Sequence, residues 1–414
     1  MRSWRGSTRA GVALATLVVA AATGGASAAA SGFASIGATA DAVAVREVAR
    51  SPAQVRDYWT RARMRAAEPA ALEFTSAARP GLRRATGGGR VASRARAVDA
   101  GGDNTAFPTR AHGRVFFSIE GGSDPGDYVC SGTVVDAPAH TVVWTAGHCV
   151  NDAEFGGGFA TNWSFVPGYR HGQRPFGTWA ARELYTTRGW RQNTNIRVDL
   201  GAAQVARDGQ GRGIEDVVGG LDLAFDQSRD QLFNAFGYPM LPTLFNPEFD
   251  GERLYSCTSP RTADDNPPGS GPAPMRIDCD MTGGASGGAW IASGRIHSVT
   301  SYSYAGDFTH LYGPYLGNVA EDLYADAGGQ AVTCAGKPVT NLGGPGAQNY
   351  AGTAGADSFK LGGGRDRADG GRGRDKLCGG RGRDVLIGGP GRDVCIGGPG
   401  RDRARGCEVT RKIP

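Results

Sequence analysis

The sequence predicts an all-β chain built in two ways, from barrel strands and from a short repeat. Two observations carry that prediction. Over residues 106–330, short apolar runs are separated by Gly, Pro and Asp turns, the pattern of an antiparallel barrel. Beyond Cys334 the composition changes abruptly, and a nine-residue repeat of the form GGxGxDxxx takes over to the end. A length of 414 residues allows one good-sized domain plus accessories, and a net charge of +5 points to neither nucleic acid nor membrane.

The N-terminal 30 residues have the layout of a secretion signal. Arg2, Arg5 and Arg9 precede an apolar stretch over residues 11–22, and Ala26-Ser27-Ala28 offers a small-residue cleavage site. No stretch reaches the ~20 apolar residues of a membrane span. An exported, extracellular protein without a membrane anchor is expected, and its eight cysteines fit disulfides in an oxidising space. Residues 31–105 read as a propeptide or a linker. Ser51 can cap a helix that starts with Pro52, and residues 54–67 can extend it as one helix ending before Pro69. A loose arginine-rich stretch over residues 83–96 offers a place for the propeptide to be removed.

The barrel region opens with residues 113–119 (GRVFFSI), an alternating strand. Its chemistry centres on Cys279-Asp280-Met281-Thr282-Gly283-Gly284-Ala285-Ser286-Gly287-Gly288. Glycines around a serine allow a sharp turn, and such a turn can aim the amides of Gly284 and Ser286 at the oxygen of a tetrahedral intermediate. Gly-Ser clusters alone are usually plain loops, so the reading needs a partner. A serine hydroxyl becomes a nucleophile when an imidazole takes its proton and a carboxylate fixes the imidazole's tautomer. One of only six histidines, His148, lies in Thr145-Ala146-Gly147-His148-Cys149, downstream of Cys130-Ser131-Gly132-Thr133. Asp199 and Asp222 are the carboxylates to weigh.

CSGT followed by TAGHC and the serine turn resemble the chymotrypsin-like serine endopeptidases, in the bacterial glutamyl-endopeptidase-like branch. The likeness covers residues 106–330. It implies two antiparallel β-barrels with the site in the cleft between them, closed by a C-terminal helix over residues 317–325. It implies His148 as general base, Asp199, followed by small and apolar residues, as its partner, and Ser286 as nucleophile. The order His, Asp, Ser suits it. Disulfides Cys130–Cys149 and Cys257–Cys279 are implied by the resemblance, as are Asp280, Ser301 and Tyr302 as substrate-binding residues. Met281 stands where glutamate-specific members carry threonine, and His297 comes too early to be their pocket histidine, so no acidic preference is expected. Ala285 precedes the nucleophile where trypsin-like enzymes place an aspartate for the new N-terminus. Maturation should therefore relieve a blockage or complete folding without that ion pair. The sequon Asn162-Trp163-Ser164 is treated as chance.

The tail, residues 331–414, resembles the calcium-binding nonapeptide repeats of secreted bacterial proteins, which wind into a parallel β-roll. Asp375, Asp384, Asp393 and Asp402 would line up one per turn as calcium ligands, with Phe359, Leu377, Leu386 and Cys395 in the centre. Arg365, Arg374, Arg383, Arg392 and Arg401 precede the aspartates, so modest calcium affinity or Arg–Asp pairing is expected, with Cys378 joined to Cys395 as one option.

The expected function is peptide-bond hydrolysis by a secreted monomer through an acyl-enzyme. Catalysis would need no cofactor, the partner would be a protein or peptide substrate, and neither nucleic acid nor membrane is involved. Two other readings stay open: a catalytically silent barrel scaffold, and an adhesion protein acting through its repeat tail. Labelling by a fluorophosphonate separates the peptidase from the silent scaffold, and binding of the isolated tail to cell-wall material would support the adhesion reading.

Overall fold

The first barrel closes on itself because one strand pairs on both of its edges. Strands Thr161–Pro167, His112–Ile119, Gly126–Val134, Val142–Thr145 and Gly201–Val205 lie side by side in that order, and Trp179–Thr187 joins the two ends, all antiparallel. This computed structural model describes residues 43–75, 82–84, 95–102, 104–243, 246–328, 333–335, 337–338, 341–342, 347–398 and 400–413. The signal over residues 1–30 lies outside the described residues, as does most of the arginine-rich stretch over 83–96.

A second sheet orders strands Arg295–Val299, Ala289–Ala292, Leu232–Gly237, Tyr255–Asp264, Met275–Asp278, His310–Gly313 and Tyr302–Tyr304. Arg295–Val299 runs on through Thr300 and Ser301 into Tyr302–Tyr304 at the other end of that row, which rolls the sheet into the second barrel. Helix Asn318–Gly328 buries Ala320, Leu323 and Ala327 in the core of the first barrel. Among the described residues, no helix is long and apolar enough to cross a membrane.

The N-terminal segment is part of this architecture. Val43–Glu47 pairs with Trp179–Thr187, Glu68–Pro69 with Gly126–Val134, and Leu72–Phe74 with Tyr302–Tyr304. The one helix read over residues 54–67 is two, Pro52–Tyr58 and Arg61–Ala66. Ser51 caps the first in a capping box with Gln54, while Thr60 caps the second. The break serves Trp59, which is buried against Phe116 and donates its indole N–H to the Asn162 carbonyl. This cover also explains why His112–Ile119, which alternates in sequence, is buried on both faces. Arg114 in that strand is 1% exposed and pairs with Glu252.

The tail is a two-sided parallel roll. Phe359, Leu377 and Cys395 stack on one side and Ala368, Leu386 and Ala404 on the other, neighbours in each stack lying eighteen residues apart. One coil therefore takes two nonapeptides, and aspartates of successive repeats alternate between sides. The expectation of one stack with one aspartate per turn is corrected to two stacks, Asp357-Asp375-Asp393 and Asp366-Asp384-Asp402. The tail disulfides are Cys334–Cys378 and Cys395–Cys407, not Cys378–Cys395, because residues 378 and 395 lie on neighbouring coils one register step apart. Lys360 forms an ion pair with Glu321 of the barrel's last helix.

Candidate active site

The strand register brings the acid and the base together. Gly201 pairs with Thr145, so Asp199, two residues before the one, meets His148, three residues after the other. The Asp199 carboxylate is fully buried and accepts three hydrogen bonds. They come from the His148 backbone N–H (2.7 Å), His148 Nδ1 (2.7 Å) and the Ser301 hydroxyl (2.6 Å). Gly147 makes this possible: a Cβ there would lie 2.7 Å from Asp199 Oδ1. An Nδ1–H tautomer held by a carboxylate leaves Nε2 as the free base, and His148 Nε2 is buried without a hydrogen-bond partner among the described residues. Asp222, the other carboxylate weighed, is exposed on the connection between the barrels, and its carbonyl accepts from Ile296 N–H.

The serine turn packs against the same strand end. Gly287 N–H donates to the Thr300 carbonyl, and the Ser286 carbonyl accepts from Ser131 N–H at 2.7 Å. The Ser131 hydroxyl donates to the Gly284 carbonyl (2.8 Å) and accepts from Tyr238 N–H (2.9 Å). Gly284 has φ +97°, where a side chain would be strained, and a Cβ there would lie 2.4 Å from the Tyr238 carbonyl oxygen. The amides of Ala285, Gly287 and Gly288 all donate inside the fold, whereas those of Gly284 and Ser286 donate to nothing among the described residues. Ser286 itself is 3% exposed. Two free donors beside a serine can stabilise an oxyanion. Disulfides Cys130–Cys149 and Cys257–Cys279 flank the histidine and the turn. Cys130, His148 and Cys149 lie close enough to hold a metal, but their sulfurs are joined to each other.

The three residues read as substrate-binding have different surroundings. Ser301 is the third donor to Asp199. Tyr302 is 2% exposed, stacks on Tyr312 at 5.0 Å, and donates its hydroxyl to Asp265. Asp280 is 1% exposed, and its oxygens are taken up by Ala97 N–H (2.7 Å) and the Asn246 carboxamide (3.0 Å). His297 is on strand Arg295–Val299, beside Phe233.

Sequence reasoning missed two features. One is Ser131, quoted in the CSGT motif only as a landmark, which fixes the serine turn. The other is the segment over the cleft. Ala70 N–H donates to the Val129 carbonyl, and Leu72–Phe74 adds a parallel strand to Tyr302–Tyr304. Pro69 and Ala71 lie against Gly283, so a Cβ there would meet both at 3.1 Å. Leu72 and Phe74 are buried with Trp190, Ile196, Tyr302 and Tyr312.

In the tail, Oδ1 of each aspartate accepts the N–H of the aspartate eighteen residues earlier, at 2.8–2.9 Å for Asp375, Asp384, Asp393 and Asp402. Oδ2 of Asp366, Asp375, Asp384, Asp393 and Asp402 is buried with no donor among the described residues. A Cβ at Gly370 or Gly379 would come within 2.6 Å of such an oxygen. Bare carboxylate oxygens, enclosed by backbone, fit a hard cation with oxygen ligands. Arg365, Arg374, Arg383, Arg392 and Arg401 are exposed, and ion pairs between them and the repeat aspartates are absent among the described residues. Burial first, then the like charge of Asp393 and Asp357, pushes Asp375 up to about 6. Burial and Asp384 push Asp366 up to about 7.

A model of the RTX calcium-binding nonapeptide repeat matches residues 342–377 and 379–404. An extracellular metalloprotease of Bacillus subtilis (strain 168) is 34% identical over 101 residues, which is 24% of this chain and 30% of that protein, so the chain spans less than a third of its length. Two solved structures match more of their own length. The protease Anisep from Arthrobacter nicotinovorans is 36% identical, covering 53% of this chain and 96% of that one, with a TM-score of 0.48. The thermostable serine protease AL20 from an extremophilic microorganism is 36% identical, covering 53% and 97%, with a TM-score of 0.47. That identity over nearly the whole of two proteases decides the family. The chain belongs to the chymotrypsin-like serine proteases. Such proteases act on peptide or protein substrates, and the repeat tail is an appendage with calcium as its expected ion.

Proposed function

We propose that this chain is a secreted serine endopeptidase, made as a precursor whose N-terminal segment lies in its own cleft. The observation that supports this most is the pairing of a bare, buried His148 Nε2 with a serine turn that keeps two amides free. Ser286 Oγ attacks the scissile carbonyl while His148 Nε2 takes its proton. Asp199 holds the imidazole's tautomer and balances the imidazolium, and the amides of Gly284 and Ser286 receive the oxyanion. His148 then protonates the leaving amine, and water releases the acyl group by the same route in reverse. Ser301 serves as a positioning residue for Asp199, and Ser301 and Tyr302 border the strand edge where the substrate backbone would pair.

Residues 69–74 take that edge in the precursor, which favours a propeptide over a linker. The chain is exported by its N-terminal signal, and its disulfides and repeats suit an extracellular site. The repeats hold calcium through the aspartate carboxylates, which supply a structural charge partner and no catalytic step. The test is labelling by a fluorophosphonate. Ser286 in the processed enzyme should be modified, and the precursor should react far more slowly. A processed, folded enzyme with no label on Ser286 would overturn the reading.

A further inference from the structure

Among the described residues, the buried carboxylate of Asp280 accepts hydrogen bonds from neutral donors alone. Those donors are the Ala97 N–H at 2.7 Å and the Asn246 side chain at 3.0 Å. Asp280 is 1% exposed and Ala97 3%. A buried carboxylate without a hydrogen-bonded cation is costly, and burial accordingly raises its affinity for a proton. The preceding residue, Arg96, is exposed, and its charge acts on Asp280 through space, favouring the ionised form.

The residues after Ala97 are anchored independently of those before it. Val98–Asp99 pairs with Tyr255–Asp264, and Ala100 N–H donates to the Leu254 carbonyl. Asp99 accepts both ends of the Arg170 guanidinium, at 3.0 and 3.1 Å. A chain beginning at Ala97 would therefore keep its first nitrogen where the amide nitrogen now sits.

We propose that Arg96–Ala97 is the maturation site of the precursor, and that the α-ammonium released there forms a buried ion pair with Asp280. This rests on the serine-protease reading above. The cut is a hydrolysis by a protease that cleaves after arginine. The Arg96 carbonyl carbon gains a hydroxyl from water and loses its bond to the Ala97 nitrogen. That nitrogen gains the water's hydrogen and then a proton from solvent. The new charge lies 2.7 Å from Oδ1 without any side-chain movement. Asp280 adjoins Cys279 and lies on the loop that leads to Ser286, so the pair clamps the turn that presents the two free amides. Ala285 leaves the position next to the nucleophile without a charge, and Asp280 supplies one from the other end of the same loop. Asp280 thus acts through the turn, as a positioning residue.

The experiment starts by sequencing the N-terminus of the active enzyme, where Ala97 is expected. A different first residue in the fully active form would overturn the proposal. Three processed forms are then compared: one beginning at Ala97, one beginning at Arg96, and one with the Ala97 amine carbamylated by cyanate. The last two should lose about 10- to 100-fold in kcat/KM with near-ultraviolet circular dichroism unchanged. Equal activity in all three overturns the proposal while leaving the serine-protease reading intact. No fluorophosphonate labelling in any form would instead remove the reading beneath it. Asp280→Asn keeps the shape and an acceptor for the Ala97 nitrogen. It should lower the melting temperature of the processed form and leave that of the precursor unchanged or higher. Equal losses in both forms would mark Asp280 as a packing residue and end the proposal.

Discussion

Asp199 in the cleft and Asp375 in the tail are both fully buried aspartates, yet their surroundings are opposite. Asp199 accepts two N–H groups and a hydroxyl, so both oxygens are served by the fold and the charge is free to steady an imidazolium. Among the described residues, Asp375 has a single backbone N–H on Oδ1 and no donor on Oδ2, with Asp357 and Asp393 of like charge above and below. One carboxylate has its donors within the protein, and the other has room for a cation as its partner. Under the proposed function, the same residue type would serve catalysis where donors converge on it, and cation binding where they are withheld.

The largest effect that could break this contrast is at the cleft. Ser286→Ala or His148→Ala should leave a folded protein whose peptidase activity is lower by several orders of magnitude, with a residual rate from binding and the free amides. Progress curves on a peptide substrate measure it. Full activity in purified Ser286→Ala would take the serine turn out of the mechanism.

Next in size is Ser301→Ala, which removes one of three donors to Asp199. A hydrogen bond to a charged group contributes roughly 1.5–3 kcal/mol. The expected fall in kcat is about 10- to 100-fold, with KM little changed and the fold intact. An unchanged kcat would show that two donors suffice and that Asp199 is over-served.

At the tail, the contrast predicts stability effects without catalytic ones. Ending the chain after Gly329, before Cys334, should leave a folded protease that still cleaves small peptides, since His148, Asp199 and Ser286 all precede it. Loss of cleavage would tie the Lys360–Glu321 contact to the cleft. Added calcium should raise the melting temperature of the full chain's tail, while a chelator leaves peptide cleavage unchanged. Calorimetry showing no calcium-dependent transition would refute the open Oδ2 atoms as ligands.

What the sequence made legible divides along the same line. The barrel pattern, the period of nine and the motifs around His148 and Ser286 are local signals, because strand alternation and glycine turns are written in adjacent residues. The Asp199 assignment needed a resemblance, since nothing within the residues themselves separates it from Asp222; the Gly201–Thr145 register does. Residues 72–74 beside Tyr302–Tyr304, and Ala97 on Asp280, are contacts across more than 150 positions and leave no local trace. Arg114, in a strand that alternates in sequence, is buried beside Tyr169 and Glu252, more than fifty positions away, and nothing adjacent to it announces that pairing. In the roll, a nine-residue period in sequence gave no sign that two repeats make one coil.

The smallest expected effect is a change of sign with pH. In the roll without calcium, Asp375 and Asp366 titrate near about 6 and about 7, against 3.8 for an ordinary aspartate, because burial and a stacked carboxylate disfavour the charge. A folded-state value above the unfolded one means that the folded roll holds more protons between about pH 4 and pH 7. Stability should therefore fall as pH rises through that window, and the full penalty is present above it. Calcium binds the ionised form, so the calcium-loaded roll should show the reverse and weaken on acidification as protons displace the ion. Hydrogen exchange of residues 357–402 in the full chain, measured from pH 4 to pH 8 with chelator and with calcium and corrected for intrinsic rates, reads both arms. Protection that rises with pH in the chelator arm would mean that the Oδ2 atoms find donors in solution, and the difference between Asp375 and Asp199 would then vanish.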